Sequence, residues 1–385
     1  MISFIPFHIP DIGEEEIHSV VETLRSGWLT TGLKTEQFEK EFAAWIGAQN
    51  AVAVNSCTAA LHLALEAVGV SAGDEVIVPT MTFAATAEVV HYCKASPVLV
   101  DCTSDTLNIN VNSIEPAITP KTKAIIPVHF AGHPCEMDRI LELARVYNIR
   151  VIEDAAHALP AKYKERRIGT IGDITCFSFY ATKTITTGEG GMATTENSEW
   201  ADQIRMLSLH GISREAVDRY TPTGSWYYEI RYPGFKYNLT DIASALGIPQ
   251  LRKCQEFATI RQRYAELYDE AFKDIPEIIL PPVSGEIEHA WHLYVIQLDL
   301  KRLRVGRDKL IDLLKDYGIG TSVHFIPLHL HPFYRNNTTY AQEKFPIANQ
   351  VFERIISLPI YPKMTDANIQ YVIEIVTKLI QENRR

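Results

Sequence analysis

The fold is indicated most clearly by residues Asp173 to Met192, which read DITCFSFYATKTITTGEGGM. The run from Ile174 to Tyr180 is rich in β-branched and aromatic residues, which predicts a strand. The glycine cluster that follows predicts a turn. Between them lies one lysine, Lys183, with no other charged residue before Glu189. Such a lysine is either a surface residue on a loop or an amine placed for chemistry.

Short apolar strands alternate with helices in the part of the chain before this stretch. The strands are predicted at residues 51–54, 75–79, 97–101, 124–130 and 150–154. Apolar strands that are separated by helices indicate a mostly parallel sheet with helices on both faces. In such sheets ligands bind at the carboxyl ends of the strands, and the polar turns of this chain follow those ends.

The second half of the chain has a different pattern. We predict a long helix at residues 240–272, strands at 289–298 and 320–325, and an amphipathic helix from about residue 365. A chain of 385 residues is too long for one ordinary core. We therefore predict an α/β fold with two domains. Residues 1–260 form a large domain with a mostly parallel central sheet flanked by helices, and residues 261–385 form a smaller C-terminal α+β domain.

Composition narrows the class of partner and the compartment. The formal net charge of −10 argues against a nucleic-acid surface, which needs a basic face. The N-terminus lacks the basic region of a signal peptide, and no apolar run approaches the length of a membrane span. The six cysteines are scattered without a C-x-x-C pair, which indicates reduced thiols rather than disulfides or a zinc site. We predict a cytoplasmic protein that binds neither nucleic acid nor membrane.

Three features bear on the role of Lys183. Asp154 ends a predicted strand and is followed by small residues that leave room for a flat group, although an isolated strand-end aspartate can equally be a helix N-cap. Residues 55–58, Asn-Ser-Cys-Thr, precede a helix predicted from Ala59 to Val68, and a helix start with a hydroxyl forms an anion site. The turn from Gly188 to Gly191 lacks the G-x-G-x-x-G pattern, which argues against a Rossmann-type dinucleotide enzyme.

Together these features match the needs of pyridoxal phosphate. A lysine amine forms a Schiff base with this cofactor, a carboxylate keeps the ring nitrogen protonated, and a helix N-terminus holds the phosphate. All three features are expected at strand ends of one sheet. Their shared location favours a chemical role for Lys183 over a surface role.

Eight motifs, in order along nearly the whole chain, resemble those of a known family. They are Ser26–Gly32, Asn55–His62, Gly73–Pro79, Glu153–His157, Phe177–Phe179 with Lys183, Gly188–Gly191, Gly234–Asn238 and Ala290–Tyr294. The sequence is similar to the fold-type-I, aspartate-aminotransferase-like enzymes, and specifically to the sugar aminotransferases of the DegT/StrS family. The resemblance implies a transaminase that depends on pyridoxal phosphate and acts on nucleotide-linked keto sugars.

The resemblance also implies roles for residues that contact the cofactor. It makes Lys183 the lysine that bonds to the cofactor and the base of the proton shift, and it pairs Asp154 with the pyridine nitrogen. The implied phosphate ligands are Cys57, Thr58, Ser178 and Asn238. Asn238 is expected to reach in from the partner subunit of a homodimer with shared active sites.

The ring and the substrate have implied contacts of their own. The resemblance places Phe83 against the face of the pyridine ring and His157 near its 3-hydroxyl. From the residues alone, core packing explains Phe83, and a buried, hydrogen-bonded histidine explains His157. Trp28, Thr30 and His324 are expected to face the sugar nucleotide.

The residues after Lys183 resemble those of family members that aminate C4 of the sugar, whereas members acting at C3 more often carry a Lys-Asn-Leu-Gly-Ala-type run. We therefore predict amination of a nucleotide-linked 4-keto sugar with glutamate as amino donor, in cell-surface polysaccharide, lipopolysaccharide or other amino-sugar biosynthesis. The alternatives are a 3-keto-sugar aminotransferase and a non-catalytic regulatory protein that retains the fold. A related sugar dehydratase would carry histidine in place of Lys183. His329 and His331 lie beside a proline with no acid nearby, so no metal site is predicted there.

Overall fold

The computed structural model describes residues 4–212, 227–282, 285–336 and 340–385. The helices are α1 Glu14–Ser26, α2 Leu33–Ile46, α3 Cys57–Ala67, α4 Ala85–Tyr92, α5 Met137–Tyr147, α6 Ser198–Ser208, α7 Asp241–Phe272, α8 Arg307–Asp316, α9 Pro332–Arg335, α10 Pro346–Phe352 and α11 Asp366–Glu382. The strands are β1 Asn50–Val54, β2 Glu75–Pro79, β3 Ser96–Val100, β4 Thr122–Ile125, β5 Arg150–Asp154, β6 Lys162–Tyr163, β7 Arg166–Arg167, β8 Ile174–Ser178, β9 Gly191–Thr195, β10 Ile278–Ile279, β11 Ile287–Glu288, β12 Tyr294–Leu298 and β13 Ile355–Leu358.

A seven-stranded sheet with the order β1-β9-β8-β5-β4-β2-β3 forms the centre of the fold. Neighbouring strands from β8 to β3 run parallel, and β9 is antiparallel to both of its neighbours, β8 and β1. One apolar cluster joins the sheet to α3, α4 and α6, and a second joins it to α2, α5 and part of α7. Because both faces are covered, most residues of these strands are buried, and apolar residues such as Val76, Ile77 and Val78 of β2 predominate among them. The predicted α/β architecture is confirmed.

Helix boundaries follow from local capping residues. Helix α1 carries three glutamates in its first turn, where the helix dipole favours them, and ends at Gly27, whose φ of 76° suits glycine. Helix α3 begins at Cys57 and not at Ala59 as predicted. The reason is that Ser56 is its N-cap, and the Ser56 Oγ accepts a hydrogen bond from the Ala59 N–H at 3.0 Å. Cys57 and Thr58 therefore lie in the first turn of the helix.

A smaller antiparallel sheet, with the order β10-β12-β13, lies in the C-terminal part of the chain. Apolar residues of α8 and α11 and aromatic residues of α7 pack with it in a third cluster. Helix α7 runs for 32 residues and contributes to both the second and the third cluster. The domain boundary predicted at residue 260 lies within this helix and remains a prediction.

Three predicted strands differ most from the observed ones. The strand predicted at residues 124–130 is the shorter β4, and the strand predicted at 289–298 begins only at Tyr294. The strand predicted at residues 320–325 is wrong. This segment bonds at Gly320 to Ile5 and at Ser322 to Ser357, so it touches two partners at single points and forms no ladder. Among the described residues, no helix combines the length and the apolar character that crossing a membrane needs.

Candidate active site

Asp154 is the last residue of β5, and its carboxylate is held in place from two sides. The Thr86 hydroxyl donates to Asp154 Oδ2 at 2.8 Å, and the Ala156 N–H donates to Oδ1 at 3.1 Å. Thr82 extends this series of hydrogen bonds, since its hydroxyl lies 2.7 Å from the Thr86 hydroxyl. Thr86 donates its proton to Asp154, so Thr86 accepts the bond from Thr82. Burial raises the pKa of Asp154, and the Thr86 bond opposes the rise. Since a loop follows β5, Asp154 is not the N-cap of a helix.

Lys183 lies in the loop between β8 and β9, where its N–H donates to the Tyr180 carbonyl oxygen at 2.9 Å. Loss of solvation lowers the pKa of Lys183 to about 8, although the neighbouring Cys57 and Asp154 favour its charged form. At pH 7 roughly one tenth of such amines are neutral, against about four in ten thousand for an ordinary lysine. The amine is therefore partly neutral near neutral pH, which suits a nucleophile or a base better than a surface lysine.

The glycine turn after Lys183 lets β9 approach the start of α3. Gly191 pairs with Val54 on β1 and with Ser178 on β8. A Cβ atom on Gly191 would lie 2.5 Å from the Ser56 carbonyl carbon and 2.6 Å from the Cys57 nitrogen. Only glycine fits at this distance. The turn thus fixes the first turn of α3, where the N–H groups of Cys57 and Thr58 precede the first bonds within the helix, beside the end of β8.

Four buried or partly buried histidines lie around Lys183. They are His8, His157, His292 and His324. Burial is the largest cause that lowers the pKa of each, to about 3 for His8 and about 4 for His324, and the charge of Lys183 lowers all four. The His157 Nδ1 accepts a hydrogen bond from the Ala131 N–H at 3.2 Å, so its proton is on Nε2. As expected from the residues alone, His157 is a buried, hydrogen-bonded histidine. Neutral imidazoles can bond a ligand here without adding positive charge.

The surroundings of Lys183 also contain groups without a partner. His8 Nε2 and His292 Nδ1 are buried and have no hydrogen-bond partner in the described part of the chain. Phe83 is 62% exposed, so the expectation of core packing is wrong for it. Its ring centroid lies 6.0 Å from that of Phe325, which in turn stacks with His157 at 5.8 Å. Exposed aromatic surface and unpaired buried nitrogens are features that a flat polar ligand would cover.

A second group of predicted residues lies in the loop from Trp28 to Gly32, which we call the 28–32 loop. Asp241 anchors it: the Asp241 carboxylate accepts from the Gly32 N–H at 2.8 Å and from the Thr35 N–H at 2.9 Å, and the Asp241 N–H donates to the Thr30 carbonyl oxygen at 3.2 Å. Asn238 belongs to the same group, because its Nδ2 donates to the Thr31 hydroxyl at 2.7 Å.

The 28–32 loop borders a cavity of about 600 Å³, whose lining includes Thr31, Gly32, Arg205 and Asn238. The backbone of Asn238 pairs with Val54, one residue before the 55–58 segment. The structure therefore brings Lys183, Asp154, Cys57, His157 and His324 into one group. The 28–32 loop instead bonds to Asp241, and the backbone of Asn238 pairs with β1.

A nucleophilic amine, a buried carboxylate and a helix N-terminus at strand ends of a mostly parallel sheet define an enzyme built for an anionic carbonyl cofactor. The chain belongs to the DegT/DnrJ/EryC1/StrS aminotransferase family, whose model matches residues 10–377. This confirms the expected family and its class of enzyme, an aminotransferase that depends on pyridoxal phosphate.

Individual relatives match along almost the whole chain. The sequence is 55% identical to the protein MJ1066 of Methanocaldococcus jannaschii, over 99% of this chain and 99% of that protein. It is 52% identical to the spore coat polysaccharide biosynthesis protein SpsC of Bacillus subtilis, over 98% of this chain and 97% of that protein. The structure resembles Spr1654 of Streptococcus pneumoniae, described as a sugar aminotransferase and solved in PMP and PLP forms. For the PMP form the TM-score is 0.92 at 36% identity, covering 98% of this chain and 99% of that chain.

Sequence reasoning missed several residues of the site. Thr86 follows the carboxyl end of β2, and His292 lies inside the Ala290–Tyr294 motif, so both had a signal that pointed to their region. His8 had none, because it lies in an irregular N-terminal segment that reaches Lys183 only through the tertiary fold. Phe325 was hidden by the wrong strand prediction.

Proposed function

We propose that this enzyme aminates C4 of a nucleotide-linked 4-keto sugar, with glutamate as amino donor, to make an amino sugar for a cell-surface polysaccharide. The observation that carries the proposal is Lys183, whose pKa is lowered to about 8 beside Asp154 in a member of a sugar-aminotransferase-like family. The name of the relative SpsC, from spore coat polysaccharide biosynthesis, supports the pathway class. The run from Thr184 to Gly191 favours C4 by its resemblance to family members that act there.

Lys183 and Asp154 would carry out different parts of the chemistry. Pyridoxal phosphate, when bound, supplies an aldehyde that bonds to amines and a ring that withdraws electrons. Lys183 would hold the cofactor through Nζ and would move a proton with the same atom, since a base with a pKa of about 8 is suited to neutral pH. Asp154 would face the ring nitrogen and would keep it protonated. Thr86 orients the carboxylate and favours its ionised form.

The phosphate would lie at the first turn of α3. Cys57 and Thr58 provide backbone N–H groups there, Thr58 adds a hydroxyl, and Ser178 ends the adjacent β8. The close approach of Gly191 to Ser56 and Cys57 supports this arrangement, since it holds the two elements together. The exposed ring of Phe83 would stack on the pyridine ring, and the Nε2–H of His157 would donate to its 3-hydroxyl.

Substrate recognition would use residues from two chains of a cytoplasmic homodimer. The 28–32 loop and Asn238 are fixed to each other and border a large cavity. We propose that this group enters the partner's site, where Asn238 binds phosphate and Trp28 and Thr30 face the sugar nucleotide. His324, which lies in the group around Lys183, would face the sugar from the same chain.

One experiment separates the possible substrates. The purified enzyme is incubated with glutamate and a panel of 4-keto and 3-keto nucleotide sugars, and the amino sugar and 2-oxoglutarate are quantified. We expect 2-oxoglutarate to form with 4-keto sugars at a rate at least about tenfold above that with 3-keto sugars. A preference for 3-keto sugars would refute the regiochemistry. If glutamate transfers its amino group to none of the sugars, the choice of donor or the enzymatic role is refuted.

The shared site has its own test. A Lys183→Ala variant and an Asn238→Ala variant are mixed under conditions of subunit exchange, and activity is measured. We expect partial recovery, because a mixed dimer contains one site with both residues intact. If mass spectrometry shows that subunits have exchanged and the mixture stays inactive, the contribution of Asn238 from the partner is refuted.

A further inference from the structure

We propose that His62, Glu66 and Cys93 form a binding site for a divalent transition metal, with Zn²⁺ as the best match. The site is separate from the chemistry proposed for Lys183. Among the residues that the structure describes, these three form a group whose potential ligand atoms all lie within 4.8 Å of one another. They come from two helices, since His62 and Glu66 lie on α3 and Cys93 directly follows α4.

The spacing suits a metal that is bound by four ligands. His62 and Glu66 are one helical turn apart and face the same side of α3, with His62 Nε2 3.6 Å from Glu66 Oε1. Zn–N and Zn–O distances of about 2.0–2.2 Å and a Zn–S distance of about 2.3 Å place tetrahedral ligand atoms roughly 3.4–3.6 Å apart. The first pair already has this separation. A movement of about 1 Å in the Cys93 or Glu66 side chain brings the third ligand to the same distance.

The His62 imidazole is oriented for such a role. Its Nδ1 lies 3.3 Å from the Tyr237 hydroxyl, while Nε2 is buried and has no hydrogen-bond partner within the described chain. The side chain is only 4% exposed, and its ring lies 4.6 Å from the ring of Phe235. A buried nitrogen without a partner costs free energy that a bound cation would recover. Metal-bound histidines typically bond through their second nitrogen to an orienting group, as His62 does to Tyr237.

A structural interpretation without a metal is an ordinary ion pair between His62 and Glu66. At 3.6 Å, however, the two atoms are too far apart for a hydrogen bond, and Nε2 stays unsatisfied. The ion pair involves only two of the three groups, although the Cys93 thiol also lies beside the Glu66 carboxyl. A metal explains the convergence of all three side chains.

The ligand set also indicates which metal is bound. The Glu66 carboxylate and the Cys93 thiolate, formed by release of the thiol proton to solvent, together balance the charge of a divalent ion, so the ion is not buried as a net charge. A thiolate and an imidazole select Zn²⁺ over Mg²⁺ and Ca²⁺, which prefer oxygen ligands. Three protein ligands leave a fourth position for water. The bound ion would link α3 to the end of α4.

No sequence motif marks this site, and the sequence predicts no metal. The prediction rested on the lack of a C-x-x-C pair and on the histidines near residue 330. A histidine and a glutamate one turn apart on a helix, with a cysteine on the next helix, follow no such pattern. The fold alone brings Cys93 to the other two.

The test uses the full-length enzyme loaded with its cofactor and stripped of metal by a chelator. Zn²⁺ binding is measured by calorimetry, and Co²⁺ is used as a spectroscopic probe of the ligands. We expect one ion per chain, a thiolate-to-cobalt charge-transfer band, and a rise in Tm with Zn²⁺. Cys93→Ser and His62→Gln should each weaken binding at least about 100-fold and abolish the Tm rise. Cys254→Ser, which changes a buried cysteine of α7, should bind as the unmodified enzyme does.

Several outcomes would overturn the proposal. A chain that binds no Zn²⁺ or Co²⁺ at a tenfold molar excess has no such site. Binding without a thiolate band, or with undiminished affinity in Cys93→Ser, would place the ion elsewhere. If the two buried variants do not fold, Glu66→Gln decides the matter, since Glu66 is partly exposed and its loss is expected to be tolerated. Unchanged affinity in Glu66→Gln would refute the site.

Discussion

The group around Lys183 and the 28–32 loop use polar residues in opposite ways. Around Lys183, buried groups have shifted pKa values, and His8 Nε2 and His292 Nδ1 have no partner in the described chain. At the end of the 28–32 loop, the Asp241 carboxylate instead accepts hydrogen bonds from the Gly32 N–H and from two N–H groups in the first turn of α2, which fixes the loop. The difference indicates a division of labour. We propose that the first region keeps polar atoms available for a cofactor and its chemistry, and that the second holds a surface in a defined shape for recognition.

After Lys183 itself, the largest effect is expected at Asp154. Asp154→Asn should retain the cofactor, because Lys183 and the start of α3 are unchanged, but it should lower kcat about 100-fold or more, since the negative charge that keeps the ring nitrogen protonated is lost. Steady-state kinetics and the absorbance of the bound cofactor measure the two effects separately. Near-normal turnover would show that Asp154 has another role.

The role proposed for the 28–32 loop is tested by changing Asp241, which anchors it. Asp241→Ala leaves the N–H groups of Gly32 and Thr35 without their acceptor, so the 28–32 loop should loosen. We expect the KM for the sugar nucleotide to rise about tenfold, while the half-reaction with glutamate alone stays within about twofold. Asp202→Ala is a matched control, because this exposed aspartate lines the same cavity without anchoring the loop. Equal loss in both half-reactions would contradict the division of labour.

A smaller effect is expected from the group that positions Asp154. Thr86→Val removes the hydroxyl that donates to Oδ2, and kcat should fall about five- to tenfold. Because the Thr86 bond lowers the pKa of Asp154, its loss should also raise the pKa of the acidic limb of the kcat profile. Thr86→Ser should restore both quantities. A variant with reduced kcat and an unmoved acidic limb would indicate a purely structural role.

The smallest expected effect is a shift in the pH dependence of cofactor uptake by the Lys183 amine. Only the neutral amine of Lys183 can attack the cofactor, so the rate at which the apoenzyme takes up pyridoxal phosphate should rise with pH around a midpoint near 8. The negative charge of Asp154 raises the pKa of Lys183, and Asp154→Asn should therefore move the midpoint to lower pH. Stopped-flow absorbance gives the midpoint. A midpoint near 10 would show an ordinary, solvated lysine.

The sequence predicted which residues lie near Lys183 better than it predicted the contacts of the 28–32 loop, for a physical reason. Asp154 and Lys183 follow strands of one parallel sheet, and parallel strands bring their carboxyl ends together, so their proximity follows from local patterns. Asp241 starts a helix about 200 residues after the 28–32 loop, and no local pattern joins the two. Phe325 was misplaced for a similar reason, since the strand predicted at 320–325 is replaced by the tertiary contacts of Gly320 and Ser322.

The central claim is that Lys183 is the amine that holds the cofactor. The holoenzyme is treated with borohydride, digested and analysed by mass spectrometry, with Lys183→Ala and the exposed-lysine variant Lys121→Ala in parallel. We expect one reduced cofactor adduct per chain at Lys183, present in Lys121→Ala and absent from Lys183→Ala, together with a loss of at least about 10³-fold in kcat for Lys183→Ala. An adduct at another lysine, or a Lys183→Ala variant that still transaminates at a comparable rate, would contradict the claim.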